Sequence, residues 1–190
     1  MMRWCFTLAL SVMSVALADA QGPDVYAKAV KSVEATFEPA EAKPGQTVTY
    51  RVTITLNAGY YTYPTKQVDK QAANDVNRFT FPKPGSLIFI GNVIDPPNPK
   101  TKAVPELGIK DHRHYPGKVT FERKAVVSPE AKPGAMLFKL PELEFNYCNQ
   151  YDCFPAKKLS PEAMLTILPG PPVPIDPAVM AEVQKALSER

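Results

Sequence analysis

Two cysteines five positions apart, Cys148 and Cys153, are the residues of this chain best suited to chemistry. A thiol pair at that spacing can cycle between dithiol and disulfide, or serve as a fixed clip. Fully extended, five residues separate the two Cα atoms by roughly 17 Å. A disulfide needs about 4.4–6.8 Å, so the four residues between must turn back. Asn149, Gln150 and Asp152 suit such a turn, because their side chains can bond nearby backbone groups. A bridge closing so short a loop stabilises the fold by only about 2 kcal/mol in the chain-entropy model. It would not join two sheets, and a chain of this length has core enough without it. These points lean toward exchange chemistry and leave the structural clip open.

A second constellation is Asp111-His112-Arg113-His114-Tyr115. In a strand the two histidines face the same way, and with Asp111 they offer a candidate metal-handling set. Two histidines are too few for a closed site, so the expectation is a polar segment holding no metal. No nucleophile elbow, metalloprotease helix, phosphate loop or dinucleotide fingerprint occurs, and no cofactor is expected.

The remaining sequence must position these groups. Residues 1–20 carry Arg3, an uncharged apolar stretch and Ala18-Asp19-Ala20, the layout of a secretory signal peptide cleaved after Ala20. The apolar stretch is shorter than the ~20 residues of a spanning helix. One of the three cysteines, Cys5, leaves with it, so an exported chain would keep an isolated pair in an oxidising compartment. Net charge is +3 with no basic block, which argues against a nucleic-acid partner.

Proline is abundant at 21 residues and glycine modest at 9, a composition of short strands and punctuated loops. In 46–56, Val48, Tyr50, Val52, Ile54 and Leu56 alternate with Thr47, Thr49, Arg51, Thr53 and Thr55, the period of a half-buried strand. Further strands are expected at 33–38, 78–81, 86–94, 118–127, 142–147 and 163–168. In 118–127 the apolar face is interrupted by Arg123. Glu41-Ala42-Lys43-Pro44-Gly45 recurs as Glu130-Ala131-Lys132-Pro133-Gly134, a repeated turn signal. About seven strands with turns between them predict an all-β, immunoglobulin-like β-sandwich over 21–168. Residues 95–116 read as a long loop. A proline-rich linker follows, and Asp176-Pro177 opens a short C-terminal helix that packs on the domain or frays, with Val179, Met180, Val183 and Leu187 on one face.

Three stretches together resemble the amino-terminal periplasmic domain of the thiol:disulfide interchange protein DsbD, the disulfide bond corrector domain family. They are Gly59-Tyr60-Tyr61-Thr62-Tyr63, residues 111–121, and Tyr147-Cys148-x4-Cys153-Phe154-Pro155. The resemblance implies an immunoglobulin-like fold and a redox-active Cys148/Cys153 pair. It implies a thioredoxin-like or membrane-embedded electron donor, and exported disulfide-containing proteins, including cytochrome c maturation factors, as recipients. The sequence holds no membrane segment after the leader and no thioredoxin C-x-x-C, so the donor is expected to be another polypeptide. Tyr60, Tyr61 and Tyr63 are expected around the pair, with Asp111 or Asp152 assisting proton transfer and Phe154 and Pro155 completing the motif. Residues 111–117 are expected to form a cap loop. It has no phenylalanine, so either Tyr115 or a histidine shields the pair or shielding is lost. The competing readings are a non-catalytic protein-binding sandwich with a disulfide clip, and metal handling through His112, His114 and Asp111.

Overall fold

The computed structural model describes residues 24–189, so the expected leader lies outside the described residues. A short helix α1 (Val25–Ala29) leads into fourteen strands. In chain order they are β1 (Val30–Glu38), β2 (Glu41–Ala42), β3 (Thr47–Leu56), β4 (Tyr61–Thr62), β5 (Arg78–Thr80), β6 (Leu87–Phe89), β7 (Lys100–Val104), β8 (Ile109–Pro116), β9 (Lys118–Val127), β10 (Gly134–Lys139), β11 (Glu142–Phe145), β12 (Tyr147–Cys148), β13 (Lys157–Leu159) and β14 (Glu162–Ile167). Helix α2 (Pro177–Ser188) closes the chain.

The architecture is an all-β sandwich with a C-terminal helix. One sheet has the order β1-β3-β9-β6; facing it are β10-β14-β2 and β13-β11-β5. The alternation of β3 does what its sequence dictates: Val48, Tyr50, Val52, Ile54 and Leu56 are all buried. On β9, Val119, Phe121, Ala125 and Val127 join them in one core with Phe138, Leu143, Phe145, Leu165 and Ile167 of the opposing strands. Removal of these apolar faces from water is the main stabilising term. Arg123 shares the core side of β9 by laying its guanidinium over Phe81, 4.3 Å from the ring centroid, where cation–π attraction offsets lost hydration.

Both recurrences of the turn sequence place their glycine at positive φ, +90° at Gly45 and +131° at Gly134. Gly45 is also pinned: the amide of Val173 donates to the Pro44 carbonyl at 2.9 Å, bringing the proline-rich linker against the turn. Beyond the linker, Asp176 caps α2 by accepting from the Ala178 amide at 2.9 Å. Val183 then packs against Ile88, Ile90 and Val126, so the helix docks on the domain.

Two expectations need correction. Residues 95–116 are not one long loop: strand structure begins at Lys100. From there they form the β7–β8 hairpin, with Lys100, Thr101 and Lys102 opposite His114, Arg113 and His112. The sequence carries no signal for this pairing, because β7 is an edge strand exposed along nearly its whole length and has no apolar alternation to read. The described residues also form fourteen strands rather than about seven. β10 is an edge strand whose Ala135 and Leu137 face solvent, and β2, β12 and β13 are only two or three residues long.

Candidate functional site

The site sits on a fourth small sheet, β12-β4-β8-β7, at one end of the sandwich. β12 continues from β11 after Asn146, and the aromatics 145 and 147 carry the core up to the cysteines: Tyr147 stacks on Phe145 at 5.6 Å and on Phe154 at 5.4 Å between centroids. Tyr60 flanks Phe154 at 6.3 Å. Phe154 thus anchors the returning arm of the cysteine hairpin, and its amide donates to the Tyr147 carbonyl at 3.2 Å.

Cys148 and Cys153 form a disulfide, with Cα atoms 4.1 Å apart. The turn between them closes as its polar residues require. Asn149 Oδ1 accepts from the amides of Tyr151 and Asp152, both at 2.7 Å, and the Asn149 amide donates to the Asp152 carbonyl at 2.9 Å. The two cysteines differ in environment. Cys148, on β12 opposite Tyr61, is 1% exposed, whereas Cys153 lies on the exposed arm.

Tyr63 covers the bridge. Its hydroxyl lies 3.0 Å from Cys148 Sγ and 3.4 Å from Cys153 Sγ. Burial, with smaller contributions from Tyr61 and Asp75, raises the Tyr63 phenol well above its ordinary range, so it is held as a neutral hydrogen-bond donor. Tyr61 meets it edge-on at 5.8 Å and carries the Lys102 ammonium, which is 2.9 Å from the Tyr61 hydroxyl and 4.7 Å from the ring centroid.

Sequence reasoning missed the residues that hold Tyr63 in place. Buried Asn77 donates to Thr62 Oγ1 at 2.9 Å and to the Tyr63 carbonyl at 2.6 Å, and accepts from the Asn146 amide at 2.8 Å. One side chain therefore ties the tyrosine strand to the cysteine strand. Gln67 does the same toward β8: Nε2 donates to the carbonyls of Asp75 and Arg113, both at 2.9 Å, and Oε1 accepts from the Arg113 amide at 3.0 Å. A lone Asn or Gln in a polar segment carries no sequence signal for such a part.

On β8 the expected cap residues divide between two faces. His112 and His114 turn toward the tyrosines. His112 stacks on Tyr63 at 5.1 Å, and His114 packs on Tyr61 at 4.9 Å. Burial lowers the pKa of both histidines; the Asp75 carboxylate opposes this at His112, and the nearby lysines add to it.

Tyr115 lies on the other face. It is 6% exposed within the main core, and its hydroxyl donates to the Pro96 carbonyl at 2.8 Å. Strand alternation puts residues 111, 113 and 115 opposite the histidines. Asp111 is accordingly taken up by Arg113, whose Nε and Nη2 lie 3.1 and 3.0 Å from Oδ2. Asp152 and Pro155 are exposed in the cysteine hairpin. The structure therefore gathers Cys148, Cys153, Tyr61 and Tyr63, with Tyr60 and Phe154 behind them, and leaves Asp111 and Tyr115 outside that cluster.

Among the described residues no group of three His, Cys, Asp or Glu side chains is placed to hold a metal, and no helix is long and apolar enough to cross a membrane. The arrangement that remains is a disulfide with one exposed and one buried half and a phenol hydroxyl against both sulfurs.

The chain matches no family model and no curated protein sequence. Among solved structures it is similar to the N-terminal periplasmic domain of ScsB from Proteus mirabilis, at 13% identity and a TM-score of 0.42. That likeness covers 78% of this chain and 50% of the other, so the chain spans half the length of the structure it matches.

Proposed function

We propose that this domain carries out thiol–disulfide exchange outside the cytoplasm, passing reducing equivalents through the Cys148–Cys153 pair. The observation that carries the reading is the unequal exposure of two bonded cysteines whose sulfurs lie beneath the Tyr63 hydroxyl. A structural clip gains nothing from presenting one half to solvent and setting a hydroxyl against both sulfurs. An exchange pair needs one sulfur within reach and a stabilised leaving group.

The chemistry follows from the geometry. A partner thiolate attacks Sγ of Cys153, the exposed member of the pair. A new partner–Cys153 bond forms, the Cys148–Cys153 bond breaks, and Cys148 Sγ leaves with the electron pair. The emerging thiolate is buried, where an unpaired charge is costly, and the Tyr63 hydroxyl donates to it. A second thiolate of the partner then attacks its own sulfur in the mixed disulfide and releases Cys153. The pair is left reduced by two electrons, and the partner dithiol is oxidised to a disulfide. Run in reverse, the dithiol reduces the disulfide of an exported protein.

The leader-like first twenty residues and the family resemblance support an extracytoplasmic setting. They also support a thioredoxin-like or membrane-embedded donor and exported disulfide-containing proteins as recipients. Cys148→Ala leaves the Cys153 thiol and removes the one that would resolve its attack on a recipient's disulfide, so it should accumulate a mixed disulfide with an exported recipient when expressed in the native host. Cys153→Ala should trap far less. The pair's reduction potential should lie well above about −300 mV. A potential below that value, with no trapped species from either variant, would establish the disulfide as a clip in a non-catalytic binding module.

A further inference from the structure

The imidazole of His112 is 5% exposed and lies over the one side chain whose hydroxyl touches both sulfurs. Its ring is nearly parallel to that of Tyr63, with 26° between planes. Along its edge, Nε2 is 2.9 Å from Asp75 Oδ2, an ion pair when the ring is protonated, while Nδ1 has no hydrogen-bond partner among the described residues. Buried polar atoms without a partner are uncommon and costly, and Nδ1 is one here. Its site is nonetheless closely built. Gln67 binds β8 and the Asp75 backbone together, and Asn77 binds the Tyr63 backbone to the cysteine strand.

We infer that His112 is a positioning residue for disulfide exchange, its ring holding the Tyr63 hydroxyl over the sulfurs so that Cys148 departs onto an aligned donor. The inference rests on the exchange reading above and adds a second part to it. His112 touches no reacting atom and acts through Tyr63.

Protonation gives this arrangement a pH response. The ionisable groups facing His112 are Asp75, Asp69 before the turn at Lys70–Ala72, Lys102 opposite it on β7, Tyr63 on its stacked face, and His114 on its own strand. Burial favours the neutral ring near neutrality. On acidification the imidazolium is attracted to the face of Tyr63 and draws electron density from the phenol, which makes its hydroxyl a stronger donor. The rate of reduction per attacking thiolate should therefore rise as pH falls through the depressed folded pKa of His112, which lies below the ordinary imidazole value of about 6.5.

The test is reduction of the oxidised full chain by dithiothreitol between about pH 5 and 8, with rates divided by the thiolate present. His112→Ala should slow reduction roughly 5- to 10-fold by releasing Tyr63 from its aim. His112→Phe keeps a stacking ring without the ionisation; it should retain most of the neutral-pH rate and lose the acid rise. In a Tyr63→Phe background, His112→Ala should slow the reaction no further, which a merely structural histidine would not satisfy. Wild-type rates in a folded His112→Ala protein, an undiminished effect in the Tyr63→Phe background, or an acid rise that survives His112→Phe would each overturn the inference. Should His112→Ala fail to fold, the pH profile of His112→Phe decides alone. A wild-type pair that resists dithiothreitol removes the exchange reading itself, visibly before any variant is made, and the inference falls with it.

Discussion

The Tyr63 hydroxyl and the Cys148 sulfur lie 3.0 Å apart although 85 positions separate them in the chain. The contact joins the sole tyrosine that reaches the disulfide to its buried half, and it is the point where the fold bears on the chemistry. Tyr63→Phe removes that hydroxyl and keeps the ring. A hydrogen bond to a charged group contributes about 1.5–3 kcal/mol, so reduction of the disulfide should slow about tenfold or more. Stopped-flow or quenched reduction by dithiothreitol measures this. Unchanged rates would show that the phenol plays no part in receiving the thiolate.

Cys153 should react before Cys148. In the reduced protein a small alkylating reagent should label Cys153 first, because Cys148 is 1% exposed beneath Tyr63. Peptide mapping by mass spectrometry after brief labelling gives the order. Reduction itself should leave the sheet signal in circular dichroism intact, since so short a bridge contributes about 2 kcal/mol.

Tyr115→Ala should be a stability variant. The side chain lies in the main core with its hydroxyl bonded to Pro96, and truncating a buried aromatic costs about 3–5 kcal/mol. Denaturant unfolding should register that loss, while labelling of Cys153 under native conditions should match wild type. Faster labelling in a fully folded Tyr115→Ala protein would return the shielding role to this residue.

Gly45→Ala should weaken the attachment of the C-terminal segment. A Cβ built at Gly45 overlaps the Val173 carbonyl, and φ of +90° is itself unfavourable for a residue with a side chain. A loss of about 1–3 kcal/mol is expected. Hydrogen exchange should localise increased opening to residues 169–189, whereas the disulfide should reduce at the wild-type rate.

Stability should fall on acidification through the histidine range. His112 and His114 have folded pKa values below their unfolded ones, burial being the largest cause of each. Below about 6.5 the unfolded chain binds protons that the folded chain refuses, so unfolding becomes easier as pH falls. The loss continues until pH passes the depressed folded values. Thermal melts of wild type and His112→Phe across this window should diverge toward acid, with the variant less sensitive. Identical pH slopes would mean that His112 titrates normally in the fold.

Sequence alone determined much of this protein. The alternating face of β3 and the β9 residues Val119, Phe121, Ala125 and Val127 were legible because burial on one side of a sheet imposes period two on the chain. The helix start at Asp176-Pro177 and the glycine turns at 45 and 134 were legible because capping and positive φ are local demands. The Cys148–Cys153 hairpin followed from reach and turn chemistry over six residues. What only the tertiary structure decided is which groups meet across long sequence distances. The β7–β8 hairpin hid behind an exposed edge strand, and β10 hid its Leu137 and Ala135 in solvent. A strand's register then sorted neighbours onto opposite faces: it sent Tyr115 into the core and His112 onto Tyr63. Asn77 and Gln67 acquired their roles only where backbone groups from separate strands converged on one amide. Local pattern records whether a residue faces in or out; it does not record what stands opposite, because that partner is set by sheet pairing between segments far apart in the chain.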